Sequence, residues 1–162
     1  MCAKRNVRNN SHMITSNMED YLEAIYEIEA QNDTEGVRVS DIARKMDVTR
    51  PSVVGMIKHL TEHELVNQAP YGAVMLTYKG RKIAKRTIHR HRVLRRFLEE
   101  VLGLDAEIAE EDACRMEHSL SDKTIERFVA LEEFRAIGPE QGSLKGESFR
   151  KFLKERKVAK GK

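Results

Sequence analysis

The sequence predicts a mainly α-helical fold, in which a winged helix-turn-helix domain is followed by an all-helical domain. Three observations lead to this fold class. Apolar residues recur at helical spacing along most of the chain, two short helical segments precede a segment of alternating polarity, and the 162 residues include only 3 Pro and 9 Gly. The alternating segment is the predicted wing.

The first predicted helix begins at Ser16, which forms a capping box with Glu19, and it ends near Gln31. Ser40 then caps a short predicted helix over Asp41–Met46. The apolar stripe of the first helix consists of Met18, Tyr21, Leu22, Ile25 and Ile28.

The third predicted helix starts at Thr49 and carries Pro51 in its first turn, where the missing N–H of proline costs nothing. The period then changes from helical to alternating. Val66 and Val74–Leu76 flank a Pro70-Tyr71-Gly72 turn, which predicts a two-stranded hairpin.

A long basic helix is predicted after the hairpin. Thr77 caps it, and it runs to about Leu102, where Gly103 terminates it. Two further helices are predicted over 105–120 and 121–134.

Changes in composition divide the chain into four parts. We expect a flexible arm over 1–14, the winged helix-turn-helix over 15–84, the helical domain over 85–138 and a basic tail over 139–162. The tail is either helical or a solvated, partly ordered segment. The arm contains Ser11-His12-Met13, which is either native or a remnant of a cloning vector.

Composition excludes several classes of protein. Hydrophobic residues make up 40% and charged residues 34%, which is typical of a globular, helix-rich protein. Neither an apolar run long enough to span a membrane nor a secretory leader is evident, so we expect a cytoplasmic protein. Cys2 and Cys114 make no disulfide framework.

A helix pair followed by a hairpin is the arrangement in which one helix enters the major groove of double-stranded DNA. The third predicted helix is the recognition helix. Any single charged residue on this helix is equally well explained as an ordinary solvent-exposed side chain. The whole pattern of two helices and a hairpin favours binding to DNA. The candidate base contacts are Arg50, Ser52, Val54 and Gly55, next to Pro51. The candidate phosphate contacts are Ser40, Arg44, Thr49, Lys58 and Lys79.

The predicted helix after Asp105 carries three residue types that ligate metals. Cys114, Glu117 and His118 stand at i, i+3 and i+4, so they share one helix face. Each alone has an ordinary explanation, such as a small buried hydrophobe for Cys114. Together they indicate a metal site. The candidates that could complete it are Asp20 and Glu23 on the first helix and His91 on the basic helix.

Sequence signatures of catalysis are absent. There is no HExxH motif, no glycine-rich phosphate loop, and no serine or cysteine nucleophile with an evident base, so we do not expect an enzyme. Two alternatives to a metal-dependent regulator remain at this stage. One is a winged-helix regulator that senses oxidation or a small ligand through Cys114, and the other is a small metallohydrolase.

Five segments carry a resemblance to a known family: 18–26, Pro51-Ser52-Val53, 89–92, 113–118 and Ser121-Asp122. They resemble the diphtheria toxin repressor and manganese transport regulator family of metalloregulators, and the match spans about residues 16–134. The resemblance implies a winged-helix domain followed by a helical dimerisation domain, a homodimer that represses at palindromic operator DNA of metal homeostasis genes, and Fe2+ or Mn2+ as co-repressor. It also implies a short, two-domain member, because nothing strand-like follows Pro139.

The resemblance implies a ligand set that combines two branches of the family. Asp20 and Glu23 are similar to the manganese branch, Cys114 is similar to the iron branch, and His91, Glu117 and His118 suit both. Glu110 stands where the iron branch has a ligating histidine, and is an additional candidate. Arg95 stands where that branch has an acid of a second metal site, so the resemblance does not extend to an iron-type ancillary site. Carboxylates and imidazoles beside one thiolate suit Fe2+ somewhat better than Mn2+, and Zn2+, Co2+, Ni2+ or Cd2+ would bind in vitro.

Overall fold

The structure is a computed structural model that describes residues 14–33, 36–68 and 72–137. Residues up to Ile88 form one compact unit, and residues from His89 form a second. None of the described helices combines the length and the apolar character needed to cross a bilayer. The predicted arm before Ile14, the Pro70-Tyr71 part of the hairpin turn and the predicted tail lie outside the described residues.

The described elements follow the predicted order of helix, helix, helix, hairpin and three helices. The fold class predicted from the sequence is therefore confirmed. The elements are α1 (Ser16–Asn32), α2 (Val39–Lys45), α3 (Arg50–Glu62), β1 (Val66–Gln68), β2 (Val74–Leu76), α4 (Tyr78–Glu100), α5 (Ala106–Glu117) and α6 (Asp122–Ile137).

The first unit packs α1, α2, α3 and the hairpin around one apolar core. The strands pair antiparallel, with Val66 opposite Leu76, and Val37 bridges Val74 at the hairpin edge. Burial of aliphatic side chains is the main stabilising contribution in such a core. The side chains that are completely buried include Leu22, Ile25, Ile42, Val53, Leu60, Leu65 and Val74.

The N-termini of α1 and α2 differ from the prediction by one or two residues. Thr15, not Ser16, is the N-cap of α1, and its Oγ1 accepts a hydrogen bond from the Met18 amide at 3.3 Å. Helix α2 begins at Val39 after Arg38, which makes no side-chain cap, so Ser40 lies inside the first turn. Adjacent hydroxyl residues and short helices make such boundaries hard to place from sequence.

The junction between the hairpin and α4 is fixed by Thr77. Its hydroxyl donates to the carbonyl of Glu64 at 2.8 Å and accepts from the amide of Gly80 at 3.0 Å. A Cβ at position 80 would collide with the carbonyl oxygen of Leu65. Only glycine therefore lets the first turn of α4 approach Leu65, just before β1, this closely.

The second unit contains the C-terminal half of α4 with α5 and α6. The rings of Phe97 and Phe128 pack with their centroids 4.6 Å apart. Gly103 ends α4 as predicted, in the left-handed conformation, and its amide donates to Glu99. The buried core residues are Val93, Leu94, Leu98, Ala109, Ala113 and Ile125.

The boundary between α5 and α6 differs from the prediction. Helix α5 ends at Glu117, with His118 as its C-cap, instead of continuing to Leu120. The Ser121 hydroxyl accepts from the amide of Thr124 at 3.3 Å, so it caps α6. Between the two helices the amides of Ser119 and Leu120 both donate to the carbonyl of Met116, so residues 118–120 form a turn instead of a further turn of α5.

Candidate functional site

The proposed recognition helix α3 exposes the side that the sequence predicted. Thr49 is its N-cap and accepts from the Ser52 amide at 3.4 Å. Val53 and Ile57 are buried in the core of the first unit. The predicted base-contact residues Arg50, Ser52, Val54 and Gly55 are all exposed, as is Pro51.

The predicted phosphate contacts differ in their surroundings. Arg44 and Lys58 are exposed, whereas Ser40 is half-buried. Arg44 lies 3.5 Å from Asp41 across one turn of α2. The Nζ of Lys79 donates to the carbonyl of His63 at 3.0 Å, so this lysine also holds the C-terminal end of α3.

In the second unit, His91 on α4 lies between two carboxylates of α5. Its Nδ1 is 3.1 Å from Glu117 Oε2, and its Nε2 is 3.1 Å from Glu110 Oε1. Glu110 and Glu117 are two turns apart on α5, so they present their side chains on one side of that helix. The imidazole therefore connects two sequence-predicted ligand candidates.

Glu117 is the most deeply buried of these groups, with 2% of its side chain exposed. Its second oxygen, Oε1, lies 3.2 Å from His118 Nε2. An ionised carboxylate is costly to bury without charged or hydrogen-bonding partners. Two imidazoles of this unit, those of His91 and His118, face it.

These contacts raise the pKa of His91 from 6.5 to about 9. The hydrogen bond to Glu117 is the largest cause, burial of the ring opposes it, and the Glu117 charge and Glu110 add to it. At neutral pH the metal-free protein therefore holds a proton on His91. Such a proton must leave before the imidazole can bind a metal ion.

Cys114 and the two α1 acids lie in different settings. Cys114 is an exposed cysteine outside any disulfide, one turn before His118, so it is not the small buried hydrophobe that was the ordinary alternative. Asp20 and Glu23 are half-buried on α1, in the first unit.

Two buried charges escaped the sequence analysis. Arg90 is buried and donates to the carbonyl of Leu120, so it holds the turn after His118. Glu29 is buried on α1 and pairs with Arg81 at 2.7 Å. Glu29 follows Ile25 by four residues, which places it on the apolar stripe of α1, and this spacing was the available signal.

The donors in the second unit fit a divalent metal ion. A buried carboxylate flanked by two imidazoles supplies oxygen and nitrogen ligands of the kind that first-row divalent metals accept. The exposed thiol of Cys114 adds a softer ligand on the same helix. A bound cation would offset the free-energy cost of burying the negative charge of Glu117.

Comparison with known proteins agrees with these features. Residues 13–74 match the model of the iron dependent repressor N-terminal DNA binding domain. Residues 77–143 match the model of the iron dependent repressor metal binding and dimerisation domain. The two matches cover α3 and the His91–Glu117–His118 cluster, respectively.

Individual relatives point to the same family. An HTH-type transcriptional regulator of Methanocaldococcus jannaschii is 36% identical over 123 residues, which cover 75% of this chain and 98% of the relative. The regulator MntR of Bacillus subtilis is 38% identical over 75% of this chain and 84% of its own length. The solved structure of the manganese regulator SloR matches with a TM-score of 0.64 and 34% identity, over 74% of this chain. The match spans 55% of the SloR chain.

The matched domains, the exposed side of α3 and the buried acid between two histidines lead to one conclusion. The family consists of transcriptional repressors, not of enzymes, which excludes the metallohydrolase alternative. The chain belongs to the iron-dependent repressor family, the diphtheria toxin repressor and manganese transport regulator family, and is a metal-dependent transcriptional regulator.

Proposed function

We propose that this protein is an Fe2+- or Mn2+-dependent repressor that binds palindromic operator DNA as a homodimer and controls metal homeostasis genes. The observation that carries the proposal is the buried Glu117 carboxylate, which faces His91 and His118. The matched family model names iron, and the related SloR is named a manganese regulator, which supports these two metals. A cytoplasmic location accords with binding to DNA.

The proposed ligands come from both units. A bound divalent cation would supply positive charge to the carboxylates and would take the place of the proton on His91. Asp20 and Glu23 are included because of their positions on α1 in the family-like segment 18–26, and Glu110 is an additional candidate. The proposed ligand set is Asp20, Glu23, His91, Cys114, Glu117 and His118.

The proposed DNA interface is the exposed side of α3. A homodimer would place two such helices in successive major grooves, about 34 Å apart on a palindrome. Arg50, Ser52, Val54 and Gly55 would face base edges next to Pro51. The residues proposed to contact phosphates are Ser40, Arg44, Thr49, Lys58 and Lys79.

In this proposal, metal binding and operator binding are linked equilibria. Asp20 and Glu23 belong to α1, whereas the other proposed ligands belong to the second unit. A bound metal ion would therefore favour those positions of the two α3 helices of the dimer in which all ligands reach the ion. Linkage requires that operator binding raises metal affinity by the same factor. A typical coupling is about 1–3 kcal/mol, which is a ~5- to 150-fold change in affinity.

The test uses a fluorescently labelled DNA fragment with a palindromic site, which is first obtained by selecting the fragments that the protein binds. The protein is then titrated into this fragment. The titration is repeated anaerobically with Fe2+, with Mn2+ and with a chelator, at constant ionic strength because salt alone changes DNA affinity. We expect tighter binding with either metal than with the chelator. Equal affinity under all conditions would overturn the proposal.

A second candidate function is favoured by the exposure of Cys114. An accessible thiol can be oxidised, so the same winged-helix protein could respond to peroxide instead of metal. Replacement of Cys114 by Ser separates the two. A thiol sensor loses its peroxide response and keeps its metal affinity, whereas a metal-dependent repressor loses metal affinity.

A further inference from the structure

The candidate metal cluster of the second unit, which contains Glu117, His91 and Glu110, is followed by the guanidinium of Arg95. Arg95 lies one turn after His91 on α4, and its Nη1 is 3.1 Å from Glu110 Oε2. The other oxygen of Glu110 faces His91 Nε2 at 3.1 Å. Glu110 is therefore shared between an imidazole and a guanidinium.

Arg95 is held in this position from its own helix. Its Nε donates to Glu99 Oε1 at 2.8 Å, across one turn of α4. The side chain therefore bridges Glu99 and Glu110, and a planar guanidinium with several donors suits such a double contact. Because an arginine does not deprotonate in proteins, the outer side of Glu110 faces a positive charge at every physiological pH.

Glu117 and Glu110 lie at the inner and outer ends of this cluster, and the two ends offer different neighbours to a metal ion. At the inner end, Glu117 is buried, and its two oxygens lie 3.1 Å from His91 and 3.2 Å from His118. At the outer end, both oxygens of Glu110 have partners, and one of these partners is a guanidinium, which carries positive charge and has no acceptor atom to offer a metal ion. A second divalent ion beside Glu110 would lie close to this like charge.

We propose that the Arg95 guanidinium takes the place of a second metal ion at the outer end of the His91–Glu110 pair, so that each subunit binds one divalent ion. The inference rests on the proposed metal-dependent function and adds the stoichiometry of its site. Arg95 acts as a positioning residue, which keeps Glu110 on His91, and it makes no contact with the ion at Glu117.

The neighbouring Arg96 offers a matched control. It has the same residue type, donates to Glu100 at 3.3 Å across one turn of α4, and is similarly exposed. Its second partner is Glu132 on α6, at 3.7 Å, instead of Glu110. A change of charge at position 96 therefore alters α4 equally without altering the His91 end.

The experiment measures bound Mn2+ per subunit by equilibrium dialysis, together with the broadening of the Mn2+ electron paramagnetic resonance spectrum that a second nearby Mn2+ ion causes. The wild type and Arg96→Glu are expected to bind one ion and to show no such broadening. Arg95→Glu is expected to bind two ions and to show the broadening, because a carboxylate then faces Glu110. Adding Glu110→Gln to Arg95→Glu should return the protein to one ion.

The outcomes separate this inference from the proposed function. A wild type that binds two ions, an Arg95→Glu protein that stays at one, or an Arg96→Glu protein that gains the same second ion would overturn the inference alone. A wild type that binds no Mn2+ or Fe2+ would overturn the proposed function as well. Should Arg95→Glu fail to fold, Arg95→Gln removes the charge conservatively and should bind a second, weaker ion.

Discussion

Each unit buries a glutamate, and the two glutamates differ in the cation that faces them. Glu29 of the first unit, 5% exposed, pairs with Arg81, which carries a permanent charge. Glu117 of the second unit, 2% exposed, faces His91 and His118, whose charge depends on protons. A carboxylate with a fixed counter-ion serves structure, whereas one with exchangeable counter-ions can respond to the solution.

The surroundings of Glu29 reinforce this contrast. The guanidinium of Arg81 also lies 5.7 Å from the ring centre of Tyr26, as does the ammonium of Lys85. These cation–π contacts join α1 to the first half of α4. We therefore expect substitutions at the two glutamates to affect different properties.

The largest predicted effect is on the metal response of Glu117→Gln. The amide keeps the size of the side chain but removes the charge that a metal ion requires, so the metal-induced gain in operator affinity should fall from ~5- to 150-fold to none. Operator titrations with Mn2+ and with a chelator measure it. Glu107→Gln, an exposed acid in the first turn of the same helix, is the control and should respond like the wild type. If Glu117→Gln showed the wild-type gain in operator affinity with metal, the proposed difference between Glu117 and Glu29 would be wrong.

The next effect is on the stability of Glu29→Gln. Removal of one partner of a buried pair typically costs 3–5 kcal/mol, and because Arg81 is 39% exposed and reaches water, we expect about 1–3 kcal/mol. Urea unfolding measures this loss. Glu27→Gln breaks the exposed pair with Lys45 and should cost about 0–1 kcal/mol. Unchanged stability in Glu29→Gln, or loss of its metal response, would remove the distinction between the two acids.

A third effect is a pH dependence of the stability of the metal-free protein. The pKa of His91 is about 9 in the folded state against 6.5 for the free side chain, so its contribution to stability is complete below about pH 6.5. This contribution is lost as the pH rises through 9, because His91 then loses its proton beside Glu117 and Glu110.

The measurement is urea unfolding of metal-free protein at about pH 6 and about pH 9.5. His91→Gln should reduce the difference between the two pH values. His59→Gln, at an exposed histidine of α3 that pairs with Glu62, should keep the wild-type difference. An identical slope in His91→Gln would show that another group titrates.

Local patterns predicted the helices and the hairpin well. Apolar spacing and residues such as Thr49, Thr77 and Gly103 act within a few residues of the chain, so their effects are visible in sequence. The N-cap of α1 was misplaced because Thr15 and Ser16 are both good caps.

The candidate site was less predictable because its geometry depends on packing between distant segments. Spacing placed Cys114, Glu117 and His118 on one side of α5, but the structure buries Glu117 and exposes Cys114. Glu117 follows the buried Ala113 by four residues, and this spacing indicated its burial. The contact of His91 with Glu117 joins residues 26 positions apart and required the packing of α4 on α5.

The interior of α3 contains a glycine that its own fold does not require. A Cβ at Gly55 would meet no atom of the described residues within 4 Å, and its backbone is ordinary helix. Alanine there would make the helix more stable by roughly 1 kcal/mol. Selection for thermal stability alone should therefore replace this glycine readily. The missing side chain leaves space on the outer surface of α3, and that space matters only when another molecule approaches this surface.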